Sequence, residues 1–143
     1  MTKPLAVITG ASSGIGEATA KAFSNAGYPT LLLARRIEIM ESFNLKNSIC
    51  KKIDVRDRDA LVSAIREAEK QYGPTDMMFN NAGVARLADI STQDPSEWDE
   101  MIDVNTKGVM NGIYAVMKDM KARKSGTIVN MSSIAGRKVY GDH

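Results

Sequence analysis

Histidine is almost absent from this sequence: the one histidine is His143. A histidine-based metal cluster or a Ser-His-Asp triad is therefore excluded within these residues. Cysteine is equally scarce. Cys50 stands alone, so no internal disulfide can form. It lies in the stretch SICKKIDV with no histidine nearby to activate it, and reads as a buried or idle thiol rather than a nucleophile. There is no apolar run of about eighteen residues, and MTKPLAV carries no signal-peptide pattern, so a soluble, cytoplasmic protein is expected. Charge of one sign is also lacking. A formal net charge of +2 is too small to point to nucleic acid or to a membrane surface. The basic cluster KARK at 121–124 reads as a solvated helix end, where cations face the negative pole of the helix dipole.

What is present is ordinary globular composition, 43% apolar and 25% charged, over 143 residues without an internal repeat or a linker. One domain over 1–143 is expected. Apolar runs alternate with amphipathic segments. Strands are expected at 4–9, 29–34, 48–55, 75–80 and 126–132. A first helix is expected over 16–27, with Ala18, Ala22, Phe23 and Ala26 on one face and Gly27 as its C-cap. Residues 37–46 are weakly helical. The clearest helix opens at Arg58, lines one face with Leu61, Ala64, Ile65, Ala68 and Tyr72, and stops at Gly73-Pro74. Asp94-Pro95-Ser96-Glu97 has the pattern of an N-cap, a proline at the first helical position and a capping glutamate, and opens a helical region to about Arg123 that breaks near Gly108. The nine methionines fall mostly in strands or on apolar faces, among them Met101, Met117 and Met120, and core packing accounts for them. Regular alternation of strand and helix implies a parallel, doubly wound α/β sheet of the Rossmann kind, with right-handed crossovers. The expected strand order is 3-2-1-4-5.

Such a sheet binds its ligand at the C-terminal ends of its strands. TGASSGIG, residues 9–16, lies at the end of the first strand. Gly10 permits a sharp turn, Gly14 lets a phosphate approach the backbone, and Gly16 lets the helix pack closely. The helix start, Ile15 included, offers N–H groups to an anion, and Ser12 and Ser13 add hydroxyl donors. No Gly-Lys-Ser/Thr follows, so a P-loop is disfavoured. Arg35 and Arg36 follow the second strand, where an acidic residue would hold a ribose 2′-hydroxyl and select NAD(H). Two arginines instead supply charge and bidentate donors for a 2′-phosphate, which favours NADP(H). A pair of solvated surface arginines is the alternative.

The loop Thr9-Gly10-x-x-x-Gly14-Ile15-Gly16 resembles the cofactor loop of the short-chain dehydrogenase/reductase family. The resemblance extends through NNAG at 80–83, Asn105 in DVNTKG and GTIVNMSSIAG at 126–136, all in family order and spacing. It implies hydride transfer between NADP(H) and an alcohol/carbonyl pair of a small-molecule substrate. It places Asp54 and Val55 beside the adenine ring, although Asp54 equally suits a helix N-cap and Asp57 suits one better. Asn81, Ala82 and Gly83 would contact the adenosine and ribose side, with Asn80 structural. Asn105 would hold a water near the catalytic lysine. Ser133 would donate to the substrate carbonyl near the nicotinamide, with Ser132 structural, although either could be a turn or cap serine. Trp98 and Tyr114 read as packing residues. Helices over 96–123 resemble the family's subunit interface, so a homodimer or homotetramer is expected.

The family's proton donor is a tyrosine in a Tyr-x-x-x-Lys pair, roughly a dozen residues beyond Ser133, whose lysine lowers the tyrosine pKa. Tyr140 lies too close to Ser133 and reads as a loop residue near the substrate entrance. The chain is thus expected to be the N-terminal part of a longer domain, and inactive as it stands. A non-catalytic NADP(H)-binding sensor would use the same cofactor motifs. A nucleotide-dependent methyltransferase would need an acidic residue where Arg35 stands.

Overall fold

The computed structural model describes residues 3–138; Tyr140 lies outside them. Strands and helices alternate as the sequence pattern requires. The order is β1 (Leu5–Thr9), α1 (Gly14–Asn25), β2 (Thr30–Ala34), α2 (Ile37–Ser42), β3 (Ser48–Lys52), α3 (Arg58–Tyr72), β4 (Thr75–Asn80), α4 (Pro95–Ile102), α5 (Gly108–Arg123) and β5 (Thr127–Asn130). A π-helical stretch, Asp103–Lys107, joins α4 to α5, and a 3₁₀ turn, Ile134–Gly136, follows β5. The strands form one parallel sheet in the order β3-β2-β1-β4-β5. This is the Rossmann-like, doubly wound architecture expected.

β1 and β2 are buried throughout, with both sheet faces covered, and are apolar but for Thr9 and Thr30 at their ends. Successive side chains point to opposite faces. Leu5, Val7, Leu31, Leu33 and Met78 meet Leu61, Ala64, Ile65 and Ala68 of α3 and Ala115, Val116 and Met120 of α5. Ile8, Leu32 and Ala34 meet Ala20 of α1 and Met40 of α2.

The structure corrects several sequence expectations. α1 begins at Gly14 and buries Gly16 and Ala20, while Ala18, Ala22 and Ala26 face solvent. An alanine methyl carries too little apolar area to set a helix's rotation; contacts at the glycine loop set it instead. β3 ends at Lys52. The Ile53 N–H still donates to the Ala34 carbonyl at 3.0 Å, but the Asp57 N–H turns back to the Asp54 carbonyl at 2.9 Å, so Asp54 and Val55 lie in the loop beyond the strand. The expected break near Gly108 is the π-helical stretch itself. Met120 is in the core, whereas Met117 and Met110 are 45% and 61% exposed on α5.

Asn80 ends β4 almost fully buried. Its Nδ2 donates to Asn130 Oδ1 at 2.9 Å, and its own Oδ1 accepts no hydrogen bond among the described residues. A Cβ at Gly112 of α5 would strike that carbonyl group and would lie 2.7 Å from Met78 Cε. Gly112→Ala is therefore expected to destabilise the fold by about 1–3 kcal/mol through overpacking, despite alanine's better helix propensity. Denaturant unfolding measures it; a variant as stable as the wild type would contradict this packing.

Candidate functional site

The chain crosses from one half of the sheet to the other between β1 and β4, the point at which an open α/β sheet leaves a crevice. A cleft of about 280 Å³ lies there. Its floor is Gly10, Ser12 and Ser13. One wall is built from the end of β2, with Arg35 and Arg36, and from Ile53, Asp54 and Val55 after β3. The other holds Asn81, Ala82, Gly83 and Val84, backed by Val104. Ten residues singled out in the sequence thus meet in one place. Gly14, Ile15 and Gly16 form the adjacent first turn of α1, while Asn105 and Ser133 are not part of the cleft lining.

The floor is fixed by a polar knot. The Thr9 hydroxyl, buried at the end of β1, accepts from the N–H groups of both Asn81 and Ala82 at 3.0 Å and donates to the Phe79 carbonyl at 3.4 Å. The Asn81 amide returns the contact, donating to the carbonyls of Thr9 at 3.1 Å and Gly10 at 3.3 Å. Gly10 has φ +64°, and a Cβ there would lie 2.8 Å from Ala82 Cα, so only glycine both turns and fits. Gly16 packs against the Gly10 carbonyl and the Asn81 amide rather than on a strand face. Nothing stands within 4 Å of the Cβ position of Gly14, which leaves the backbone open on that side.

Cationic groups gather beside this floor. Arg36 Nη2 donates to Ser12 Oγ at 3.2 Å and to Ser13 Oγ at 3.1 Å. Ser13 is the N-cap residue of α1, yet its side chain makes no cap bond to the helix. By contrast, Asp57 caps α3 by accepting from the Ala60 N–H at 3.0 Å, and Asp94 caps α4 by accepting from the Ser96 N–H at 2.8 Å. N-capping therefore falls to Asp57, not Asp54. The Asp54 carboxylate is gripped side-on by Arg56, with Nη2 to Oδ2 at 2.6 Å and Nε to Oδ1 at 3.0 Å. That grip holds its carboxyl below the usual carboxylate range, and the charge of Arg35 adds a smaller pull in the same direction.

Asn105 sits in the π-helical stretch, a common device where a helix serves a site. Its Oδ1 accepts from the Val84 N–H at 2.8 Å and its Nδ2 donates to the Val84 carbonyl at 2.8 Å. Ser133 Oγ accepts from the Ala135 N–H at 3.1 Å and so N-caps the 3₁₀ turn. Accepting that bond leaves its O–H as a donor. The Trp98 indole N–H donates to Gln93 Oε1 at 2.7 Å. Burial, then the charge of Glu41, pushes the Cys50 thiol pKa up, against thiolate chemistry. No group of three or more His, Cys, Asp or Glu side chains among the described residues is placed to hold a metal. Sequence reasoning missed the roles of Thr9 and Arg56. A hydroxyl closing an otherwise apolar strand, and a cation two residues after Asp54, were the available signals.

The profile of the short chain dehydrogenase family matches residues 4–142, and the chain belongs to that family of oxidoreductases. An uncharacterized oxidoreductase of Listeria monocytogenes is 42% identical over 140 residues, covering 94% of this chain and 56% of the relative. A serine dehydrogenase complexed with NADP⁺ superimposes with TM-score 0.91 at 29% identity, over 96% of this chain and 57% of that one. An alcohol dehydrogenase from the archaeon Thermococcus sibiricus, complexed with 5-hydroxy-NADP, gives TM-score 0.89 at 27% identity, over 98% of this chain and 62% of that one. The chain thus spans little more than half the length of these three proteins.

Because its pKa is depressed in the folded state, Asp54 contributes stability above its unfolded pKa of roughly 4, and that stability is lost as pH falls through the folded value. Arg56→Ala is expected to move the Asp54 midpoint upward, read from its carboxyl resonance in an NMR titration. An unmoved midpoint would mean that the ion pair does not form in solution.

Proposed function

We propose that the cleft binds NADP(H) and that the protein interconverts an alcohol and a carbonyl compound. The observation that carries this is Arg36, whose guanidinium bridges the hydroxyls of Ser12 and Ser13 in the glycine loop, with Arg35 on the same wall. A diphosphate asks for open backbone and hydroxyl donors, and a 2′-phosphate asks for a cation beside them. The open side of Gly14, the α1 start left uncapped by Ser13 and the arginine pair supply that donor set. The bound cofactor supplies or accepts the hydride.

The residues divide the work as follows. Ser12, Ser13 and the backbone of Gly14, Ile15 and Gly16 hold the diphosphate. Arg36, with Arg35, holds the 2′-phosphate, which sets NADP(H) above NAD(H). Asp54 and Val55 take the adenine edge, and Asn81, Ala82 and Gly83 form the surface on which the ribose lies. Gly10 and the Asn81 amide act by keeping that surface in place. Ser133 donates to the substrate carbonyl. Asn105 has its side-chain amide engaged on both sides by Val84, so a water held at this position is held by its main chain. The substrate is a small alcohol or carbonyl compound. The exposed side chains of Met110, Tyr114 and Met117 on α5 form the face that pairs with a second copy.

Fluorescence titration is expected to show tighter binding of NADPH than of NADH, and Arg36→Asp to cut that preference by about tenfold or more. Unchanged discrimination would refute the assignment of Arg36. For the pairing face, Tyr114→Glu is expected to shift the sedimentation coefficient to that of a single chain; an unshifted value would place the interface elsewhere.

A further inference from the structure

The wall formed by Ile53, Asp54 and Val55 is a loop, and loops hold a geometry only when something fixes their backbone. Beside its own backbone turn, three side chains fix this one. Arg56 grips Asp54 from the solvent side, and Asp57 caps α3. The third comes from behind the wall, from Asn111 on α5. Asn111 is 4% exposed. Its Nδ2 donates to the Val55 carbonyl at 2.8 Å and to the Arg56 carbonyl at 3.4 Å. Its Oδ1 accepts from Arg58 Nε at 2.9 Å, which fixes which end of the amide faces the loop. One helical turn earlier, a Cβ at Gly108 would lie 2.6 Å from Val55 Cγ2, so the missing side chain is what lets Val55 settle against α5. An amide buried in the apolar stripe of a helix is costly unless its partners are met. Here its donors go to the loop that lines the cleft.

We infer that Asn111 is a positioning residue for the adenine end of the cleft, setting the Val55 backbone from behind. It touches no ligand; it acts through Val55 and, one residue away, Asp54. The inference rests on the cofactor reading above, and it makes one part of the cleft answer to one side chain. If the Val55 carbonyl loses its donor, the loop relaxes and the adenine edge is no longer met by a fixed partner. The diphosphate floor is built from β1, α1 and β4, and does not depend on this contact.

The test compares NADPH with its hypoxanthine counterpart, which carries an oxygen in place of the adenine amino group. Asn111→Leu, matched in shape but without the amide, is expected to weaken NADPH binding by about tenfold and to narrow the preference for adenine over hypoxanthine. Asn111→Ser, too short to reach Val55, should do the same. Wild-type affinity and preference in both Asn111 variants would overturn the inference. So would an equal loss for the two nucleotides, which marks a general loosening, or failure of both variants to fold by circular dichroism. A wild type that binds both nucleotides equally overturns this inference alone. A wild type that binds neither overturns the cofactor reading, and this inference with it.

Discussion

Two backbones meet at the end of the central strand with no side chain between them, and the rest of the site follows from that. The loop after β1 and the loop after β4 touch at Gly10 and Ala82, where a Cβ would lie 2.8 Å from the opposing Cα. One buried hydroxyl, on Thr9, accepts from both N–H groups at the start of the second loop. N–H groups turned away from water need acceptors, and here a β-strand's last side chain supplies one for two half-buried ones. With the loops locked, the first turn of α1 points at the crevice, and the serines and arginine that follow inherit a fixed address. Substituting Gly10 would separate the loops before it touched any ligand.

The opposite side of the cleft hangs from one helical column. The π-helical stretch presents Asn105 to the loop after β4, and α5 presents Asn111 to the loop after β3. Each asparagine meets its loop through backbone groups, so each fixes a loop's course without specifying its residues, and the Arg58 side chain orients the Asn111 amide. The extra residue of a π-turn changes how the two halves of the column are rotated relative to each other. That rotation lets a single column serve two loops while Ala115, Val116 and Met120 still face the sheet.

The sheet was legible because parallel strands covered on both faces read as near-continuous apolar runs, and TLLLA and LAVIT are such runs, each with one threonine at an end. The α3 face was legible for the same reason: Leu61 and Ile65 carry enough apolar area to fix its rotation. α1 was misphased because alanines spaced by four look like a stripe while carrying little of that area; its rotation comes from the tight approach of Gly16 to Gly10. The cleft residues were legible from strand ends and from glycine spacing. What the one-dimensional pattern did not show is where polar side chains spend their hydrogen bonds. Asp54 reads equally well as an N-cap, yet Asp57 takes the cap and Arg56 grips Asp54. The amide of Asn81 reads as a ligand contact, yet it bonds the end of β1. Asn111 carried a signal, a polar residue within the apolar stripe of α5, but its partner lies more than fifty residues away, and only the fold brings Val55 to it.

The central claim is that a dinucleotide's phosphates lie on the locked loop at the end of β1. Amide chemical-shift mapping of the protein titrated with NADPH tests it most directly. The largest shifts are predicted at residues 10–16, with further shifts at 35–36, 54–55 and 81–83. Shifts confined to the exposed face of α5, with residues 10–16 unmoved at saturation, would contradict it.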